Sequence, residues 1–132
     1  MRLAVLGTGY VGLVAGAGFA DFGNDVVCVD IDVEKVARLG RGILPIYEPG
    51  LEGLVKRNVE EQRLSFTTDI VAAVRGADVV FIAVGTPSAH DGSADLSQVL
   101  SAAEAIGRAI DGRTGGFTVV VTKSTEIGRA HV

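Results

Sequence analysis

The chain holds one cysteine and no tryptophan. A lone Cys28 excludes an internal disulfide framework and leaves no cysteine spacing of the zinc-binding kind. It sits between Val27 and Val29 inside an apolar run, which suits a small buried residue and not a nucleophile. His90 stands alone in the polar loop 89–94, with no second ligand beside it, and reads as solvated. Lysine and arginine form no cluster, and the net charge is −4, so a nucleic-acid surface is not expected. No apolar run approaches the ~20 residues that cross a bilayer, so no membrane association is expected. The opening Met1-Arg2-Leu3 enters an apolar run that breaks at Gly7, which fits a short strand better than a signal peptide. The expectation is a soluble, cytoplasmic protein.

What is present is apolar residue and glycine. Hydrophobic residues make up 48% of the 132 positions, enough for one well-buried domain, and the 18 glycines suit close backbone packing and short turns. Runs at 3–6, 26–29, 79–84 and 117–122, with a weaker one at 64–67, are rich in β-branched residues and nearly continuous. Strands covered on both faces have that pattern, and such strands are usually parallel. Helical patterns lie between them, at 11–22, 33–41, 51–61, 70–75 and 96–110. The last places Leu96, Val99, Leu100, Ala103, Ile106 and Ile110 at helical spacing, with Asp95 in position to cap it. Alternating strands and helices with right-handed crossovers predict an α/β fold, a Rossmann-type doubly wound parallel sheet of strand order 3-2-1-4-5. The sheet is expected to stop after its fifth strand, leaving apolar surface uncovered and the chain poorly soluble.

The sharpest motif is Gly7-Thr8-Gly9-Tyr10-Val11-Gly12. A glycine pattern of this kind is weak alone, but here a strand precedes it and a helix follows. Gly7 permits the tight turn out of the first strand, Gly9 leaves bare backbone for a pyrophosphate, and Gly12 lets helix and strand approach. The N–H groups and the positive end of the helix dipole then face the phosphates. Asp30, at the end of the second strand, follows Gly12 by 18 residues and completes the fingerprint. Its carboxylate accepts from a ribose hydroxyl and repels a 2′-phosphate, favouring NAD over NADP. Asp32 reads as a helix N-cap. For Lys35 a solvated charge and a ligand contact fit equally.

Ligands of such sheets sit at the carboxyl ends of the strands. The fourth strand exits into Val84-Gly85-Thr86-Pro87-Ser88, where Gly85 and Pro87 suggest an unusual backbone path and Thr86 places a hydroxyl beside the expected cofactor. The fifth exits into Thr122-Lys123-Ser124-Thr125. Local turn hydrogen bonding fits Thr86 and Thr125 as well as function does. In the connection Pro45-Ile46-Tyr47-Glu48-Pro49-Gly50-Leu51, Tyr47 reads as a packing or hydrogen-bonding anchor.

Taken with Val29-Asp30-Ile31-Asp32, Val84-Gly85-Thr86-Pro87, Gly92-Ser93-Ala94-Asp95-Leu96 and Lys123-Ser124-Thr125, the glycine loop and the Tyr47–Leu51 stretch resemble the UDP-glucose/GDP-mannose dehydrogenase family. The resemblance runs over residues 1–125. It implies an NAD-binding domain that a long helix joins to a second, sugar-nucleotide-binding domain. The implied reaction is the two-step oxidation of the 6-hydroxyl of UDP-glucose to give UDP-glucuronate, with two NAD and a thiolate from the second domain that traps the aldehyde, held as a thioester after the second hydride transfer. By resemblance Val11, Asp30, Lys35, Thr86 and Thr125 touch NAD, alongside Gly7, Gly9, Tyr10 and Gly12 of the loop, and Thr125 also orders the catalytic water. No metal is implied. The second domain, its cysteine and the accompanying lysine and asparagine are absent from these residues, so the chain is expected to bind NAD and not to turn over alone. The whole protein is expected to be a homo-oligomer. GDP-mannose or UDP-N-acetylmannosamine as substrate, a non-catalytic NAD-binding module, and a related hydroxyacid dehydrogenase are the alternatives.

The segment Glu126-Ile127-Gly128-Arg129-Ala130-His131-Val132 departs from the family pattern, which places an apolar residue after Ser-Thr. Back-translated as GAG ATC GGA AGA GCA CAC GTC, it matches a sequencing-library adapter from its second base, and residues 126–132 are therefore expected to be non-native. The nucleotide sequence of the gene tests this: that string is expected, and different synonymous codons contradict it.

Overall fold

A computed structural model describes residues 1–93, 95–111 and 117–123. Five parallel strands form one sheet in the order β3-β2-β1-β4-β5. They are β1 (Arg2–Leu6), β2 (Asp25–Val29), β3 (Leu64–Thr67), β4 (Val79–Ile82) and β5 (Val119–Thr122). The helices are α1 (Tyr10–Asp21), α2 (Val33–Gly40), α3 (Leu51–Glu60), α4 (Ile70–Arg75) and α5 (Ser97–Asp111). The predicted strand order is the observed one. The fourth and fifth strands are shorter than their apolar runs suggest, since pairing with β1 ends at Ile82 and β5 pairs only from Val119.

The central strand shows why the runs are continuous. Leu3 and Val5 pack on one face with Leu13, Ala17 and Ala20 of α1 and with Leu51 and Val55 of α3. Ala4 and Leu6 pack on the other with Ala73 and Val74 of α4 and with Ala102, Ile106 and Ala109 of α5. Both faces of β1 are therefore dry, as a parallel strand requires. β5 is the exception, because Val119 and Val120 are exposed.

Helix α5 corrects the predicted stripe. Its buried residues are Ala102, Ile106 and Ala109, while Leu100 is 63% exposed and Leu96 lies before the helix. Val99, Ile106 and Ile110 of the predicted stripe do pack on this core, and Ala102 and Ala109 take the inward places expected for Leu96, Leu100 and Ala103, which are exposed. Asp95 accepts from the Ser97 N–H at 2.9 Å, one position further out than an N-cap. Asp32 does cap α2, accepting from the Lys35 N–H at 3.1 Å.

A polar cluster at the far end of the sheet, not legible in the sequence, ties α3 to α1. Asn58 is fully buried; its amide donates to Asp21 and to the Leu54 carbonyl, and its Oδ1 accepts from Arg63. Arg63 also donates to the Ala20 carbonyl at the end of α1.

Helix α1 packs tightly on the sheet at Gly16, where a Cβ would lie 2.6 Å from Cys28 Sγ. Burial pushes the Cys28 thiol up to about 12, in keeping with an inert core residue. Gly16→Ala is expected to cost about 1–3 kcal/mol through overpacking, more than the ~1 kcal/mol that alanine gains in a helix. Adding Cys28→Ala is expected to recover most of that loss, measured by urea unfolding. A Gly16→Ala chain as stable as the parent contradicts this packing.

Candidate cofactor cleft

The chain leaves β1 towards β2 on one side and returns through β4 on the other, so the sheet's switch point lies at the carboxyl ends of β1 and β4. A cleft of about 910 Å³ opens there. Its walls come from the loop after β1, the ends of β2 and β4, the start of α5 and Lys123 after β5.

Backbone constraints build the loop. Gly7 has φ +104 and donates its N–H to the Val29 carbonyl at 2.7 Å. A Cβ on Gly7 would stand 2.6 Å from the Ala83 carbonyl oxygen, so the position demands glycine in both conformation and space. Gly12 is needed for a different reason from the one expected. Its Cβ would fall 1.9 Å from the Gly7 carbonyl oxygen, so it admits the loop itself, and the close helix–strand approach belongs to Gly16. Gly9 is the N-cap of α1, with no capping side chain and no acidic residue in the first turn. The first-turn N–H groups have no intrahelical acceptor. Nothing lies within 4 Å of where a Gly9 Cβ would be. Open space above uncapped donors, at the positive end of a helix, fits a pyrophosphate.

At the end of β2 the Asp30 carboxylate is held from several sides. Its Oδ2 accepts from Thr8 Oγ1 at 2.5 Å and from the Thr8 N–H at 3.1 Å, with Lys35 Nζ at 3.6 Å. Its Oδ1 accepts from the Asp32 N–H at 3.0 Å. Burial raises the Asp30 pKa, but the Thr8 and Asp32 hydrogen bonds and the Lys35 charge outweigh it and hold the carboxyl below its ordinary value. An ionised acceptor beside an open cleft fits a ribose hydroxyl. Together the loop, the acid and the volume suit a dinucleotide.

Gly7, Gly9, Tyr10, Val11, Asp30, Lys35 and Thr86 all border this cleft. Gly12 lies beneath it, buried. Thr125 and Ser124 lie outside the described residues. The backbone at Gly85 is ordinary; the left-handed glycine of that connection is Gly92, at φ +85. Tyr47 is 91% exposed and anchors nothing, because Leu44 and Ile46 are the residues of its loop that pack on the core. Among the described residues no group of acidic, histidine or cysteine side chains is arranged for a metal, and no helix is long and apolar enough to cross a membrane.

Sequence reasoning missed Thr8, which is fully buried, and Ile31, which is 94% exposed on the cleft wall. An apolar residue left bare beside a ligand-sized cleft is a signal only once the fold is known. It also missed the contribution of α5, whose Ser97, Gln98 and Ser101 border the cleft, and of Lys123.

Comparison with known proteins agrees with this geometry. The sequence model of the UDP-glucose/GDP-mannose dehydrogenase family, NAD binding domain, matches residues 1–131. A UDP-glucose 6-dehydrogenase of Rhizobium meliloti is 58% identical over 126 residues, covering 95% of this chain and 28% of that protein. The solved UDP-glucose dehydrogenase of the archaeon Pyrobaculum islandicum superposes with a TM-score of 0.90 at 50% identity, over 95% of this chain and 29% of that one. The GDP-mannose dehydrogenase of Pseudomonas aeruginosa, solved as a ternary complex, gives 0.91 at 40% identity, over 95% and 28%. The chain thus spans under a third of the length of these relatives. It belongs to the UDP-glucose/GDP-mannose dehydrogenase family, within that family's NAD-binding domain.

Proposed function

We propose that this chain is the cofactor-binding part of an NAD-dependent dehydrogenase that oxidises the 6-hydroxyl of UDP-glucose in two steps to UDP-glucuronate. The observation that carries the choice of sugar is the higher identity to UDP-glucose dehydrogenases, 58% and 50%, than to the GDP-mannose enzyme, at 40%. The fold is common to both and does not discriminate.

In this reading the N–H groups at the start of α1, from Gly9 to Gly12, hold the pyrophosphate, and Tyr10 and Val11 wall the cleft above it. Asp30 takes a ribose hydroxyl, with Lys35 beside it. Thr86 and the start of α5 border the other half of the cleft, towards the reacting ring. Thr125 orders the catalytic water. NAD supplies the hydride acceptor. The groups that bind the sugar and carry the acyl transfer belong to the rest of the whole protein, which is a homo-oligomer in the cytoplasm, and the 132 residues alone bind NAD without turnover.

The substrate is tested by expressing the full reading frame and following NADH at 340 nm with UDP-glucose, GDP-mannose and UDP-N-acetylmannosamine. Two NADH per UDP-glucose, with little from the others, is expected. A preference for another sugar moves the assignment within the family, and NADH formation by the 132-residue chain alone contradicts the division of labour.

The Asp30 environment sets a pH dependence. Its pKa is depressed, so the ionised acceptor persists through the ordinary carboxylate range near pH 4 and is lost only as pH falls through the lower value. NAD affinity, measured by calorimetry on the chain, is expected to stay level from pH 8 down to about pH 4 and to weaken only below it, with circular dichroism reporting the fold at each pH. A decline centred at pH 6 or above contradicts an ionised Asp30 as the acceptor.

A further inference from the structure

Thr8 occupies the variable position between the first two glycines of the loop, yet it is one of only a few fully buried polar residues in the described structure. Its side chain and its backbone N–H converge on a single atom, Asp30 Oδ2, at 2.5 and 3.1 Å. Lys35 Nζ approaches the same oxygen at 3.6 Å. A carboxylate offers about four lone-pair sites over its two oxygens. Oδ2 is therefore fully engaged by protein donors. Oδ1 accepts only from the Asp32 N–H among the described contacts, and keeps one site.

Three consequences follow from that count. The Thr8 N–H is committed to Asp30, so the phosphate donors begin at Gly9. Asp30 has one acceptor site for the ribose diol, and that site is on Oδ1. Asp30 and Lys35 form a pair of zero net charge, so rejection of a 2′-phosphate does not come from a bare negative charge.

We infer that Thr8 is a positioning residue for cofactor selectivity: by clamping Asp30 Oδ2 it aims Oδ1 at the ribose and keeps Lys35 engaged, so that NAD is preferred over NADP. Loss of the hydroxyl lets the carboxylate turn. Lys35 is then released to meet a phosphate, while the hydroxyl acceptor is misplaced. The inference rests on the reading of this cleft as the NAD site.

The test is calorimetric titration of the chain and its Thr8→Ser, Thr8→Val and Thr8→Ala variants with NAD and with NADP. Circular dichroism and urea unfolding identify the variants that fold. Binding of NAD by the parent chain, with NADP weaker, tests the cleft itself, and no binding overturns both the cleft reading and this inference. Given binding, Thr8→Ser is expected to keep the parent's selectivity. Thr8→Val, which keeps the volume without the hydroxyl, is expected to bind NAD roughly tenfold more weakly with NADP affinity unchanged or improved, the size that loss of one charge-assisted hydrogen bond gives. Thr8→Ala serves the same purpose if the valine chain does not fold. The acid limb of NAD binding is expected to move to higher pH in whichever of the two folds, a change that loss of packing alone does not produce. Equal weakening of both cofactors, no change in either, or a failure of Thr8→Ser to restore selectivity overturns the inference.

Discussion

The cleft depends on one backbone passage, that of Gly7 between the carbonyl of Val29 on β2 and that of Ala83 just past β4, the strands on either side of β1. Its N–H is tied to Val29 of β2, and its bare Cα lies against Ala83, just past β4. Only a residue without a side chain and tolerant of positive φ makes that passage. The rest is arranged around it. Gly12 is bare because the Gly7 carbonyl needs the room, and α1 therefore begins at a fixed height above the sheet. The uncapped helix start, Asp30 at the end of β2 and Thr86 beyond β4 meet around one cleft because all are registered to that loop. Replacing Gly7 would act on backbone atoms that cannot move aside, whereas Gly16 faces a side chain that substitution can trim.

Polarity is distributed to match. The two helical layers bury aliphatic side chains against the sheet, and the few buried polar groups are fully partnered. Asn58 joins α3 to α1 at one end of the sheet. Thr8 joins the glycine loop to β2 at the other. The first is structural. The second lies beneath the ligand cleft, where a fixed and ionised carboxylate has a chemical use. Uncapped donors are left at the start of α1, where the proposed cofactor would supply the acceptor.

Much of this was legible beforehand, for identifiable reasons. Strand order follows from alternation of elements and crossover handedness, which are properties of chain order. Gly7 is readable because its positive φ and its contact with the Ala83 carbonyl make a demand that only glycine satisfies, and Asp30 because the spacing of the fingerprint places an acid at the end of β2. The buried face of α5 was legible only at Val99, Ile106 and Ile110, because that helix carries apolar residues around much of its circumference and its neighbours select Ala102 and Ala109 over Leu100. Tyr47 misled for a similar reason, since a large aromatic between two prolines suggests an anchor, yet Leu44 and Ile46 occupy the core. Thr8 was passed over because its role exists only in the pairing of residues 22 positions apart. No local pattern marks such a pair.

The cofactor is expected to lie over the glycine loop, against Asp30. A chain of 13.6 kDa is within the size range of amide chemical-shift mapping by NMR. On titration with NAD, the amides of Gly9, Tyr10, Val11, Ile31, Asp32 and Thr86 are expected to shift together, while those of the loop from Gly42 to Gly53, which lines a separate hollow, stay in place. Shifts confined to that second loop, with the glycine loop and Asp32 unmoved, would contradict the account.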